Sequence, residues 1–336
     1  MKKIMNAAKD FVDQSMKGIV AAHGDFYTFC NDDLRALAYA GGKKPGKVAI
    51  VTGGGYGHLP LFLGYVGKGL CDGVAVGNVF TSPSSDSILN VSRSVDNGAG
   101  VLFLFGNYTG DGMNFAMAKE FLSFEGIQAE IVTGSDDVAS APRDQWQTRR
   151  GIAGIMLAYK VAGAAAEEMK PLEEVKRIAE KAGENIATFG VAFSSCILPD
   201  VGKPIFVFDD DEMEIGMGIH GEPGVKRGKM ITSEELADHL TGELLKDLSI
   251  VENDQVAVLV NGLGATSREE LYILYNDVSA ILAEKGVKVH RVFVGEFATS
   301  MEMAGASLSL MKLDDELIHY LDQAAESPFT NFYYKA

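Results

Sequence analysis

Short apolar runs alternate with amphipathic stretches through the first half of the chain. Residues 47–52, 73–80, 100–105 and 128–132 are runs of strand length, rich in Val, Ile, Leu and Phe. Between them, 85–95 and 113–125 space their apolar residues at helical intervals and are long enough for crossover helices. Strand–helix alternation of this kind predicts a mostly parallel sheet with helices on both faces. An Ala-rich helix is expected over 149–168. Pro171 opens another over 172–186, at the position where proline is tolerated.

From residue 187 the rhythm changes. Residues 188–196, 205–209 and 212–220 read as strands joined by short polar turns with no helix between them, which predicts antiparallel pairing. A helix (233–248), a strand (255–261), a long helix (268–285), two more strands (288–295 and 307–312) and a closing helix complete the pattern. The fold class is therefore α/β with two domains: a mostly parallel N-terminal one over 1–185 and a mixed α/β one over 186–336. The C-terminal tail is left open to pack back on the first.

Composition narrows the function classes. The chain has 336 residues, 47% hydrophobic and 23% charged, with a formal net charge of −16. Nucleic acid and anionic membranes attract basic patches, so neither is an expected partner. The three cysteines, Cys30, Cys71 and Cys196, offer neither a disulfide framework nor a Cys-x-x-Cys metal pattern. No apolar run reaches the length of a membrane span, and the N-terminal apolar stretch is too short for a secretory signal. A cytoplasmic location is expected.

Three glycine-rich segments each present one ionisable side chain: Gly53–His58, Gly106–Asp111 and Gly218–Gly224, which carries His220. Parallel sheets bind ligands beyond the carboxyl ends of their strands, where His58 and Asp111 fall. His220 follows a strand of the other domain, so a site using all three would lie in an interdomain cleft. Each segment also has a plain structural reading: a tight turn, an N-cap for the helix at Met113, a core histidine. Ser267 with Glu270 fits a capping box, which accounts for Gly262–Ser267 without a ligand. Arg149 and Arg150 are expected to cap or flank a helix, and Glu302 to lie at the surface or behind a site. No Walker A pattern and no Gly-x-Gly-x-x-Gly fingerprint starting at Gly53 is present.

Taken in order, Gly53-Gly-Gly-Tyr-Gly-His58, Phe80-Thr-Ser-Pro83, Asn107-Tyr-Thr-Gly-Asp111 with Met113-Asn-Phe115, Arg149-Arg-Gly151, Gly218–Gly224 and Asn261-Gly-Leu-Gly-Ala-Thr266 with Glu270-Leu-Tyr272 resemble the substrate-binding K subunit of the dihydroxyacetone kinase family. The resemblance runs nearly end to end. It implies that His220 bonds covalently to a ketone carbon as a hemiaminal, that Asp111 is the general base, and that His58 hydrogen-bonds the substrate oxygen. Gly55, Tyr56, Gly57 and Gly106 would line the substrate pocket.

The resemblance also implies a short ketose as substrate, no cofactor or metal on this chain, and a homodimer. The phosphoryl donor, ADP or ATP with Mg, is expected on a separate helical L-type subunit, recharged in some members by a phosphohistidine carrier. Three positions depart from the family: Gly106 replaces a lysine, Tyr56 a serine and Leu59 a glutamate. These changes leave open a ketose longer than dihydroxyacetone. They also leave open an idle paralogue that binds ketose as a coactivator for a regulatory partner.

Overall fold

The computed structural model describes residues 3–332. The chain divides into two units, and no single cut near residue 185 separates them. One comprises Met1–Gly134, Met156–Ala182 and Leu317–Ala336, the other Ser135–Ile155 and Gly183–Glu316. Backbone pairing explains the exchange of segments. Thr188 N donates to Asp136 O at 2.7 Å and Val138 N to Thr188 O at 3.0 Å, which commits the 135–155 segment to the second unit. The C-terminal segment is held in the first by Glu326 N on Lys68 O at 3.0 Å and by Lys160 Nζ on Tyr320 O at 2.9 Å.

In order, the elements are α1 (Phe11–Ala22), β1 (Tyr27–Cys30), β2 (Asp33–Tyr39), β3 (Ala49–Tyr56), β4 (Gly73–Val79), α2 (Ser85–Val95), β5 (Val101–Gly106), α3 (Thr109–Phe124), β6 (Ala129–Gly134), α4 (Ile155–Glu167) and α5 (Leu172–Glu184). Then come β7 (Ile186–Ala192), β8 (Glu212–Ile215), β9 (Lys226–Lys229), α6 (Ser233–Asp247), β10 (Gln255–Gly262), α7 (Arg268–Glu284), β11 (Lys288–Gly295), β12 (Gly305–Leu313) and α8 (Asp315–Leu321).

The first unit has a six-stranded sheet in the order β1-β2-β4-β3-β5-β6. Its last four strands are parallel, and the β1–β2 hairpin adds an antiparallel edge. Alternation along β3 builds both faces. Ala49 and Val51 join Phe103, Phe105 and Phe115 in one core, while Thr52 on the opposite side bonds the Tyr159 hydroxyl of α4 at 2.7 Å. Phe115 stacks on Phe105 at 4.0 Å and is fully buried, a placement that contributes roughly 2–3 kcal/mol and clamps α3 to β5.

The chain runs from β3 outward to β4, then crosses back to β5 on the other side of β3. The sheet therefore changes direction between β3 and β5, the place where open α/β sheets bind ligands.

The second unit has the sheet β11-β10-β12-β7-β8-β9, antiparallel except for the β10–β11 pair. Its core packs Val256, Val258 and Val260 with Leu308 and Leu310 against α6 and α7. The capping box Ser267–Glu270 opens α7 as expected, and Thr232–Glu235 does the same for α6.

Several expectations need correction. Gly53–Tyr56 is the end of β3, paired along β4, because glycines fit where neighbouring backbone leaves no room for side chains. No strand forms at 205–209, and β8 stops at Ile215, so His220 lies in the loop between β8 and β9. The helix expected from 149 starts at Ile155.

Candidate functional site

Three loops at the carboxyl ends of β3, β4 and β5 meet in the first unit. After β3, Gly57 has φ +104, a conformation that side chains resist, and turns the chain so that His58 points inward. His58 is 1% exposed, with its ring stacked on Phe80 at 4.7 Å and 7° and met edge-on by Phe62 at 6.3 Å. Both aromatic partners have positive φ, Phe62 at 66 and Phe80 at 56. Bulky residues pay strain for that conformation, and two of them in contact with one histidine mark a position the fold over-determines.

Two residues beyond Phe80, Ser82 Oγ donates to Asp111 Oδ2 at 2.8 Å. Asp111 is buried in the first turn of α3, where the helix dipole favours its negative charge. Tyr108, not Asp111, holds the N-cap position. Asn114 Nδ2 on Pro83 O, at 2.7 Å, locks the same turn to the helix. The turn 80–83 thus links His58 to Asp111.

Of the expected lining residues, Gly55 and Gly57 border a cavity of about 10 Å³ under the loop, room for one water and too small for a sugar. Tyr56 also borders it, but its hydroxyl reaches Ser15 of α1 and its ring meets Phe11 edge-on at 6.3 Å. Burial raises the pKa of this phenol, and its side chain is committed to holding α1. Gly106 is buried at the end of β5 opposite Gly134.

His220 belongs to the second unit and is built independently, on a loop held at four points. Glu222 bends back to accept the His220 amide on Oε2 and to meet Nδ1 with Oε1, both at 2.9 Å. Glu214 Oε1 accepts from Gly224 N, and Ser300 Oγ donates to Ile219 O. Arg150 Nη2 donates to Gly216 O at 3.4 Å.

With Nδ1–H donated to the ionised carboxylate, a neutral His220 carries its lone pair on Nε2, the nitrogen able to attack carbon. Burial works to raise the Glu222 pKa. Hydrogen bonding and charge from His220 outweigh it and bring the value down to about 2.

The sign of that shift yields a prediction. A carboxylate whose folded pKa is depressed adds stability above its unfolded pKa, and that stability is lost as pH falls. Urea titrations should show wild type losing up to about 0.8 kcal/mol relative to Glu222→Gln between about pH 5.5 and pH 4. A constant difference would remove the His220–Glu222 pair from the account.

Arg149 caps the short 3-10 helix Arg143–Thr148, as expected, and Arg150 follows it. Arg149 is buried in a two-pronged pair with Asp247 (2.9 and 2.6 Å), and Arg150 grips Asp137. Glu302 stands behind the loops, accepting from Ile197 N at 3.2 Å. Sequence reading assigned no site role to Ser82, Glu222 or Arg150. The spacing His-x-Glu was a signal for Glu222, since a two-residue step across a tight turn can return a carboxylate to the ring. Among the described residues, no group of three or more His, Cys, Asp or Glu side chains could hold a metal ion, and no helix is long and apolar enough to cross a membrane.

Comparison with known proteins accords with these features. The Dak1 domain model matches residues 17–329. The chain belongs to the dihydroxyacetone kinase family, of the DhaK type. Its relatives include the dihydroxyacetone-binding subunit DhaK of PTS-dependent dihydroxyacetone kinase 2 from Listeria innocua, 43% identical over 98% of this chain and 99% of that one. D-erythrulose kinase of Mycolicibacterium smegmatis is also 43% identical, over 98% of this chain but 56% of its own length. Among solved structures, the dihydroxyacetone kinase operon co-activator DhaQ superposes with a TM-score of 0.87 at 32% identity, covering 93% of this chain and 96% of that one. The family thus includes kinases and a regulator on one fold.

Proposed function

We propose that this chain is the ketose-binding subunit of a phosphotransferase. His220 captures the substrate carbonyl, and Asp111 and His58 prepare its terminal hydroxyl for phosphorylation. The observation that carries the reading is the Glu222 carboxylate locked on Nδ1 of His220, which leaves Nε2 as the nucleophile. In the capture step the Nε2 lone pair bonds to the carbonyl carbon. The C=O π electrons move to oxygen, which takes a proton from solvent, while the Nδ1 proton passes to Glu222 and from there to solvent, so that no net proton is gained. The product is a hemiaminal. Only a carbonyl can be held this way, so glycerol, an alcohol of similar shape, is rejected by chemistry alone.

For transfer, the terminal hydroxyl attacks the incoming phosphorus and gives its proton to Asp111, with Ser82 fixing the carboxylate and His58 holding the hydroxyl in line. This requires all three residues around one substrate. The donor nucleotide resides on a separate helical subunit, recharged by a phosphohistidine carrier, and the chain acts as a cytoplasmic homodimer. The substrate class is a three- or four-carbon ketose: relatives named for dihydroxyacetone and for erythrulose are equally similar, and Gly106 leaves the end of β5 without a side chain. Asp111 fixed by Ser82 favours the kinase over the coactivator, since a sensor has no use for a base.

The test uses dihydroxyacetone and erythrulose labelled with ¹³C at the carbonyl. Bound ketose should move from a ketone to a tetrahedral carbon resonance, with glycerol silent, and adding a nucleotide-bearing helical subunit should release phosphorylated product. If no short ketose gives a tetrahedral carbon, the reading fails.

A further inference from the structure

Arg150 occupies an unusual position next to the His220 loop. Its Nε donates to Asp137 Oδ2 at 2.8 Å, its Nη2 lies 2.7 Å from the same oxygen, and its Nη1 lies 4.0 Å from Glu222 Oε2. Asp137 is 1% exposed and also accepts from Ala139 N at 3.0 Å, so it is a fixed seat. The side chains form a row, Asp137–Arg150–Glu222–His220, which ends on the ring nitrogen opposite the nucleophile. Gly218 makes the row possible. A Cβ there would fall 2.2 Å from Glu222 Oε2 and 2.8 Å from Arg150 Nη1. The loop is thus shaped around a cation and a carboxylate meeting beneath it.

We infer that Arg150, seated on Asp137, is a positioning residue for carbonyl capture: it holds Glu222 against His220 Nδ1 and tempers the negative charge that the ring feels. The inference rests on the proposed role of His220. Its chemistry is a balance of two needs. The carboxylate must orient the imidazole, yet a bare carboxylate beside the ring favours the protonated imidazolium, which has no lone pair to attack with. A guanidinium behind the carboxylate keeps the orienting hydrogen bond and weakens the pull on the proton. The other charges near this row are Asp136, which adjoins Asp137, and the Glu214–Arg227 pair, 3.3 Å apart, whose carboxylate also holds Gly224 N. They stay in place in the variants below.

The test follows adduct formation by ¹³C resonance with carbonyl-labelled dihydroxyacetone, from about pH 5 to pH 9, in wild type, Arg150→Met and Arg150→Lys. Wild type loses the adduct on the acid side as His220 becomes protonated. In Arg150→Met that acid limb should move up by about one pH unit, so that adduct near the wild-type midpoint falls by about fivefold. Arg150→Lys keeps the cation but cannot span Asp137 and Gly216 O together. It should keep the limb near its wild-type pH while lowering the adduct several-fold.

A merely structural arginine would lower the adduct at every pH without moving the limb, and that result in folded Arg150→Met overturns the inference. So does an unchanged profile. If Arg150→Met does not fold, Arg150→Lys decides: full wild-type adduct refutes the bidentate positioning. Failure of wild type itself to form an adduct sinks the proposed function, a separate and visible outcome.

Discussion

His220→Ala should abolish the tetrahedral ketose adduct, whereas Asp111→Asn should keep the adduct and lose phosphoryl transfer by about 10²–10⁴-fold. The two losses separate because the chemistry assigned to the residues is separate. In the proposed reading His220 supplies the atom that bonds to carbon, and no neighbour can replace it: Glu222 is oriented toward the ring itself, and Arg150 toward Asp137. Asp111 makes no bond to the carbonyl. Its proposed task begins when a proton must leave the terminal hydroxyl, and asparagine keeps the shape and the Ser82 contact while losing the base. The His220 side chain is about one-fifth exposed on a loop pinned elsewhere by Glu214 and Ser300, so the alanine variant should fold. Carbon NMR reads the first loss and a coupled transfer assay with a helical partner subunit reads the second. Adduct surviving in His220→Ala would move the nucleophile elsewhere. Full transfer by Asp111→Asn would remove the base.

Much of this arrangement was legible in the chain, and the parts that were not share a cause. Buried strands such as β5 and β10 announce themselves by unbroken apolar runs, and the Ser267–Glu270 box marks the start of α7 by local hydrogen bonding alone. The hairpin β1–β2 went unseen although its turn carries a usable signal. Asn31 and Asp32, at φ 52 and 56, are residue types that tolerate the left-handed region a two-residue hairpin needs.

What no local pattern could give is the partner of each polar side chain. Gly53–Tyr56 looks like a loop until β4 is placed beside it. Tyr56 looks like a pocket residue until α1 supplies Ser15 and Phe11. The stack of Phe80 on His58 and the bond from Ser82 to Asp111 join segments that follow separate strands, and only the parallel order β4-β3-β5 brings them together. In the same way Arg149 and Arg150 are adjacent in sequence but serve different ends. One holds the fold and the other faces the His220 loop.

That division gives the largest stability effect to Arg149. Its guanidinium is 1% exposed, bonds both oxygens of Asp247 at 2.9 and 2.6 Å, and donates through Nε to Ala141 O at 2.7 Å. Truncating one partner of a buried ion pair costs about 3–5 kcal/mol, because the remaining charge keeps its desolvation penalty without its partner. Arg149→Ala should therefore destabilise the unit that contains it by that amount in urea titrations. Asp247, on the last turn of α6, would keep the looser Arg143 contact, Nη1 to Oδ2 at 3.8 Å, and face the space Arg149 filled.

The double variant Arg149→Met, Asp247→Leu separates charge from packing. It removes both charges and restores apolar volume, so it should recover most of the loss. Recovery would show that the pair contributes little net stability and that its breakage is what costs. If the double variant is as unstable as Arg149→Ala, the hydrogen bond to Ala141 and the shape of the 141–149 loop carry the stability instead. In that case the loop that presents Arg150 to Glu222 should loosen as well, and adduct formation on His220 should fall in step with stability.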